Sequence, residues 1–423
     1  MENSLSSAQG GAQTLRQLIR SMGPGIMMAA AAVGGSHLVA STQAGAIYGW
    51  QLAGLILLVN LFKYPFFKAG IQYTLGTGES LVEGYAKLGR PYLWVFALLC
   101  LFSAVVNIAA LLLFSASLLS YFIPFTLSPV VLSAVVVVVC LGILFAGHYK
   151  ALDVLSKVIM AVLTVATVAA VTIAFVNPSP VSDVAISPSP WTLAAIGFLV
   201  VTMGWMPAPI EVSSITSMWL KSQQRRQEVT ARSALFDFNV GYIGTAILAI
   251  VFLALGALVL HGSGVEFAKS GVGFSHQLVS LYSSTIGEWS RYLIAVIAFF
   301  CIFGSTITVI DGYSRVVAES QRLLLKQETQ HPRVLQWWIF AVSVVAMGII
   351  MFWGKALIPM LDFAMVMAFV TTPVFALLNY ILVTRTNLPK ALSLSTPMKW
   401  LSITGLIYLF GFLALFIWWK WLM

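Results

Sequence analysis

Two short stretches of this chain combine helix-breaking residues with side chains able to hold an ion or carry a proton. The first is Val33-Gly34-Gly35-Ser36-His37. The second is Met203-Gly204-Trp205-Met206-Pro207-Ala208-Pro209, with Glu211 one helical turn beyond Pro207. His37 brings an imidazole, which binds a transition metal or gates by protonation. Met206 brings a soft thioether. Glu211 brings a carboxylate, either a ligand or a proton carrier. Each has a plainer alternative: a lone histidine among apolar neighbours is commonly a hydrogen-bonded packing residue, an isolated methionine is commonly core, and Glu211 could pair with a buried base such as Lys63. Taken as candidate metal ligands, His37, Met206 and Glu211 would join the carbonyls of unwound backbone in a site suited to a borderline-soft divalent cation. The same region, opened by Gly34 and Gly35, has room for a small organic solute whose carboxylate would meet the backbone N–H groups around Gly34 to Ser36. The candidate substrate-binding set is therefore Gly34, Gly35, Ser36, His37, Met203, Gly204, Met206 and Glu211.

Further ionisable and polar residues lie in otherwise apolar runs, where a charge costs about 2.5–3.5 kcal/mol to insert into a membrane and so needs a partner or a task. The candidates for proton coupling or relay are His37, Glu211, Asp311, Asp362, Lys63 and Asn107. Asp311, in Ile310-Asp311-Gly312, reads equally as a relay or as a satisfied helix-packing acid. Asp362 also suits an interfacial position at a helix start. Lys63 is deep enough to be an internal counter-charge, whereas Lys68 suits snorkelling to the boundary. Cys100, Cys140 and Cys301 stand alone in apolar runs without metal-type spacing, so disulfide and zinc readings fail and small core residues remain.

The elements that position these groups follow from composition. Of 423 residues, 60% are hydrophobic and 9% charged, with a mean hydropathy of +0.94. That exceeds what a water-soluble domain of this length buries, so lipid must cover much of the surface. Lipid-exposed backbone satisfies its own hydrogen bonds only in helices or closed barrels, and apolar runs of about 20 residues are helix-length. The chain is predicted to be an all-α integral membrane protein with eleven spans near 22–47, 51–75, 92–123, 128–146, 156–176, 191–219, 234–261, 289–317, 334–353, 358–384 and 399–420.

With the N-terminus cytoplasmic, the inner loops hold Arg16, Arg20, Lys87, Arg90, Lys150, Lys157, Lys221, Arg225, Arg226, Arg232, Arg315, Arg322, Lys326, Arg333, Arg385, Lys390 and Lys399. These are 17 of the 23 basic residues; Lys269, Arg291, Lys355 and Lys420 fall outside, and Lys63 and Lys68 within a span. The positive-inside rule fixes that orientation, with the C-terminus on the outer side, and points to the plasma (inner) membrane. It also accounts for the formal charge of +9 without nucleic acid as a partner. The first 20 residues lack the apolar core and cleavage site of a signal peptide. The outer segments Asn177 to Pro190 and His261 to Ser290 read as connecting loops. The expected organisation is a cytoplasmic tail over 1–21 and one transmembrane domain over 22–423.

Span 1 starts inside and span 6, five spans later, starts outside, and each carries its break near mid-run. That is the pattern of an inverted-topology repeat, whose half-helix ends meet at the midplane to form a binding site. The repeats would cover about 22–176 and 191–384, with an eleventh helix over 399–420.

Several motifs at this level resemble the NRAMP (natural resistance-associated macrophage protein) divalent-metal/proton transporters. They are Met22-Gly23-Pro24, Gln43-Ala44-Gly45-Ala46, Gly49-Trp50-Gln51-Leu52, Asn60-Leu61, Thr77-Gly78, Leu81, Glu83 and Arg90-Pro91. Met206-Pro207, Asp237, Ser305-Thr306 and Pro373 extend the likeness over most of the chain. The resemblance implies a LeuT-like fold of two inverted five-helix repeats plus an eleventh helix, alternating access, and a divalent metal ion moved in symport with protons. The departures fall at the site. Gly34-Gly35-Ser36-His37 stands where the family has Asp-Pro-Gly-Asn, and Met206-Pro207-Ala208 where it has Met-Pro-His. Span 3 lacks the family's acidic residues, Asn107 being its most polar member, and Asp362 falls where the family commonly has a glutamine.

The function expected is an NRAMP-like secondary transporter moving a small substrate by alternating access, with a divalent metal ion as the family default and either a coupling proton or facilitated uniport. The alternatives are a transporter of a small organic solute with a carboxylate, or a non-transporting membrane sensor. No His-Glu-x-x-His motif or nucleophile–base pair points to an enzyme, and no resident cofactor is called for.

Overall fold

A computed structural model of the chain describes residue 18 and residues 21–147, 149–177, 188–264, 266–353 and 356–422, with the backbone alone over 149–157. Arg16, Arg20, Lys355, the side chains of Lys150 and Lys157, most of the expected N-terminal tail and most of the Asn177 to Pro190 segment lie outside the described residues.

The described chain is almost wholly helical. The first span is α1 (Pro24–Ala32), a π-helical turn (Ser36–Ser41) and α2 (Thr42–Tyr48), followed by α3 (Ala53–Thr77). A short amphipathic helix, α4 (Leu81–Leu88), leads into α5 (Arg90–Leu119), α6 (Pro129–Phe145) and α7 (Tyr149–Val176). The sixth span is split into α8 (Ile196–Gly204) and α9 (Val212–Gln224). Next come α10 (Ala231–Val259), α11 (Gly271–Ile286), α12 (Arg291–Leu324), α13 (Pro332–Trp353), α14 (Leu357–Arg385) and α15 (Thr396–Trp421). Among the described residues, eight helices are long and apolar enough to cross a membrane, and the bent pair Pro24–Ala32 and Ser36–Tyr48 would make a ninth. Pro129–Phe145 and Leu193–Gly204 are shorter apolar helices.

Helix boundaries follow local chemistry. Pro24, Pro91 and Pro129 sit in first turns, where a missing N–H costs nothing. The Ser80 and Glu83 side chains form a reciprocal capping box on α4. Asp237 of α10 takes the free N–H groups of Gly25 at 2.7 Å and Ile26 at 3.1 Å, tying the start of α1 across 212 residues of sequence. The first span then runs along α10 at backbone contact: a Cβ at Gly45 would lie 2.0 Å from the Leu253 carbonyl oxygen, and one at Gly256 would lie 2.1 Å from that of Thr42. Small residues on both faces permit that approach.

Two expectations are corrected. His261 to Ser290 is not only a loop, because α11 occupies most of it: Ser270 caps the Gly273 N–H, and Phe274, Leu278 and Tyr282, four residues apart, form a buried stripe. The eighth span runs past residue 317 to Leu324, since Arg322 folds back on Glu319 at 2.7 Å and the polar last turns stay helical.

Candidate functional site

Both interruptions leave backbone carbonyls outside the regular helical pattern, and side chains of the chain itself complete them. At the first, α1 and the following segment are bent by 47°. The Gly34 carbonyl receives the N–H of both His37 (3.2 Å) and Leu38 (2.9 Å), and the Ser36 hydroxyl donates to the Ala32 carbonyl at 2.8 Å. The Cys301 thiol reaches the Val33 carbonyl at 3.3 Å, and the Ser305 hydroxyl reaches that of Ala30 at 3.3 Å. At the second, Pro207 and Pro209 remove two N–H groups within three residues, so the helix stops at Gly204 and restarts at Val212. The Lys63 ammonium donates to the carbonyls of Met203 at 2.8 Å and Gly204 at 3.0 Å, satisfying the open end of α8.

The interruptions touch. The Trp205 indole lies on Gly35, where a Cβ would come within 2.5 Å of ring atom Cζ3. Beside this contact is a cavity of about 520 Å3, counted out to its mouth, lined by Gly35 and Ser36 from the first break and by Trp205 and Pro207 from the second. Asn107 of α5, Trp219 of α9 and Tyr313 of α12 complete its polar features, and the remaining wall is aliphatic or proline apart from Thr308.

A hydrogen-bonded chain leads from the wall to a buried acid. The Asn107 amide donates to the Tyr313 hydroxyl at 3.2 Å and to the Ser103 carbonyl at 2.8 Å, and the Tyr313 hydroxyl donates to Glu211 Oε1 at 3.0 Å. Glu211 is 1% exposed. The Asn107 Oδ1 and the indole Nε1 atoms of Trp205 and Trp219 are buried without a protein partner. The fold thus joins Gly35, Ser36, Asn107 and, through Tyr313, Glu211. Sequence reading missed Trp205, Trp219 and Tyr313; the position of Trp205 inside the second break was the available signal, whereas Tyr313 carries no motif.

The expected donor set of His37, Met206 and Glu211 does not assemble around this cavity. The π-helical turn directs His37 at α10, where Nε2 meets the Thr245 carbonyl at 2.9 Å and Nδ1 meets the Ser36 hydroxyl at 2.7 Å, leaving neither nitrogen for a metal. A carbonyl only accepts, so Nε2 carries a proton. Met206 is fully buried and off the cavity wall. The Met203 sulfur accepts from the Tyr408 hydroxyl at 3.0 Å, and Gly204 is pressed on α14, a Cβ there falling 1.9 Å from the Met365 carbonyl oxygen. Among the described residues, no group of three or more His, Cys, Asp or Glu side chains is placed to hold a metal ion. Gly34 packs on Ser305 rather than lining the cavity. Asp311 pairs with Arg315 at 2.7 Å, the satisfied-acid alternative, and Asp362 is half-buried near the start of α14, off the cavity wall. The direct Lys63–Glu211 bridge weighed as an alternative is replaced by Lys63 on the α8 carbonyls, with Glu211 within electrostatic reach.

Comparison with known proteins gives a consistent picture. A manganese transporter of Eremococcus coleocola superposes with a TM-score of 0.72 at 13% identity, over 96% of this chain and 88% of that one. MhsT in complex with L-phenylalanine superposes with a TM-score of 0.63 at 14% identity, over 93% of this chain and 97% of that one. Mhp1, a nucleobase-cation-symport-1 family transporter with bromovinylhydantoin bound, gives 0.58 at 15% identity, over 94% and 92%. These likenesses establish the LeuT-like fold, two inverted five-helix halves and an eleventh helix, in an all-α membrane protein. An uncharacterized protein of Pasteurella multocida is 52% identical over 400 residues, 94% of this chain and 91% of that one. The model of the natural resistance-associated macrophage protein-like family matches residues 25–419, nearly the whole chain, and the chain belongs to that family, Nramp.

Proposed function

We propose that this chain is a secondary transporter, moving a small substrate by alternating access through the cavity at its two interrupted helices. One observation carries the reading: a single cavity is walled by both breaks at once, Gly35 and Ser36 from one half of the chain and Trp205 and Pro207 from the other. Relative movement of the halves would then open the same wall to either side of the membrane. The positive-inside rule supports a cytoplasmic N-terminus and a cytoplasmic Lys221–Arg226 end of α9, in a plasma (inner) membrane. Besides the two breaks, the cavity is walled by α1 and α9 and, to the same extent, by α5 and α12. Glu211, reached from the cavity through the Tyr313 hydroxyl that Asn107 orients, is the group that would carry a coupling proton in a symporter.

For the substrate, family membership points to a divalent metal ion, and a manganese transporter is among the proteins of like fold. The lining favours a second reading, a small organic solute with a carboxylate. The wall has no carboxylate, imidazole or thioether, but it has two indoles whose N–H groups lack partners. MhsT and Mhp1 show the same fold holding organic molecules.

Proteoliposome uptake of Mn2+, followed by fluorescence quenching with Mg2+ and Ca2+ as competitors, separates the readings. Saturable entry abolished by Glu211→Ala and Met206→Ala supports metal transport. No entry of any divalent ion, with counterflow of an organic solute found by thermal-shift screening, supports the second. Folded protein that exchanges neither is a sensor rather than a transporter.

A further inference from the structure

Carbonyls freed where a membrane helix is interrupted require a donor or a cation. Here they meet donors of the chain itself. The first break uses a thiol and two hydroxyls, from Cys301, Ser305 and Ser36. The second uses the Lys63 side chain, which is 0% exposed and whose terminal nitrogen bridges the last two carbonyls of α8 at 2.8 and 3.0 Å. Within electrostatic reach of it is Glu211, whose Oε1 is held by Tyr313.

We propose that Lys63 is a tethered cation. Its ammonium fills the place at the open end of α8 that a bound metal or alkali ion would otherwise take, and it makes the site select against divalent cations and for a solute rich in hydrogen-bond acceptors. This rests on the reading of the adjacent cavity as the substrate site. The charges of Lys63 and Glu211 sum to zero. A divalent ion added beside them would leave two uncompensated positive charges in a buried region without a second carboxylate, which is strongly unfavourable. An organic acceptor has the opposite fit, because Trp205 and Trp219 line the cavity and their indole N–H groups, donors only, have no acceptor in the protein.

The test uses the full chain in nanodiscs. Free Mn2+ is measured by electron paramagnetic resonance, and thermal unfolding is recorded in choline, sodium and manganese chlorides. Wild type is expected to bind no Mn2+ saturably below about 1 mM and to unfold at one midpoint in all three salts. Lys63→Met vacates the two carbonyls, so its midpoint should fall in choline and recover in sodium or manganese, and Lys63→Met/Glu211→Gln should lose that recovery. Saturable Mn2+ binding by wild type, or a Lys63→Met protein as stable as wild type and indifferent to cations, would overturn the proposal. If Lys63→Met does not fold in any salt, the wild-type Mn2+ measurement decides alone. Neither readout requires transport, so absence of counterflow would remove the transporter reading and leave this result standing.

Discussion

Removing the Tyr313 hydroxyl should destabilise the protein through Glu211 and through little else. In the native fold this hydroxyl donates to Glu211 Oε1 at 3.0 Å and accepts from Asn107 at 3.2 Å. Tyr313→Phe keeps the ring and removes the donor to Oε1, leaving the carboxylate only the weaker approach of the Ser103 hydroxyl in a region where Glu211 is 1% exposed. Asn107 keeps its bond to the Ser103 carbonyl, so its loss is minor. A hydrogen bond to a charged group contributes about 1.5–3 kcal/mol, against about 0.5–1.5 for a neutral pair. Tyr313→Phe should therefore cost about 1.5–3 kcal/mol in wild type, roughly a ten- to hundredfold change in the unfolding constant. In a Glu211→Gln background it should cost about 1 kcal/mol less. The assay is a double-mutant cycle by equilibrium unfolding in mixed micelles. A Tyr313→Phe protein within about 0.5 kcal/mol of wild type, or an equal cost in both backgrounds, would show that Tyr313 does not hold Glu211.

Three other outcomes follow from the packing. Gly204→Ala would drive a Cβ to 1.9 Å from the Met365 carbonyl oxygen, so α8 or α14 must shift; a loss of at least about 1–3 kcal/mol is expected, and a midpoint equal to wild type would refute that contact. Outside the spans, burial pushes the Glu83 carboxyl up, but the Lys221 ammonium and hydrogen bonds from Ser80 outweigh it and hold the group below its ordinary 4.5. A depressed carboxylate contributes stability that is complete above the unfolded value and is lost as pH falls through the folded one. Thermal midpoints of wild type should therefore fall towards those of Glu83→Gln below pH 4.5, and a gap between them that stays constant from pH 7 down to 3 would contradict this. Asp311→Asn should cost no more than about 1 kcal/mol, because its partner Arg315 is 41% exposed and stays solvated; abolished pH-dependent uptake in that variant would restore Asp311 as a relay.

The chain's residues alone determined the class, the spans and the location of the breaks. Apolar runs of bilayer length admit only helices, and Gly34-Gly35 and Pro207/Pro209 interrupt them. These are local properties, and the family motifs around Gly23-Pro24, Gly45 and Met206-Pro207 are local too. Which side chains share a cavity depends on rotation about each helix and on contacts hundreds of residues apart, and a one-dimensional pattern does not encode either. A π-helical turn, invisible in composition, directs His37 to Thr245 on α10 rather than into the site. Lys63 finds the end of α8 140 residues away, and Tyr313 links Glu211 to Asn107 from a third helix. The sequence supplied the chemical groups at mid-membrane depth, and tertiary packing decided which of them were spent on the fold's own carbonyls and which were left facing the cavity.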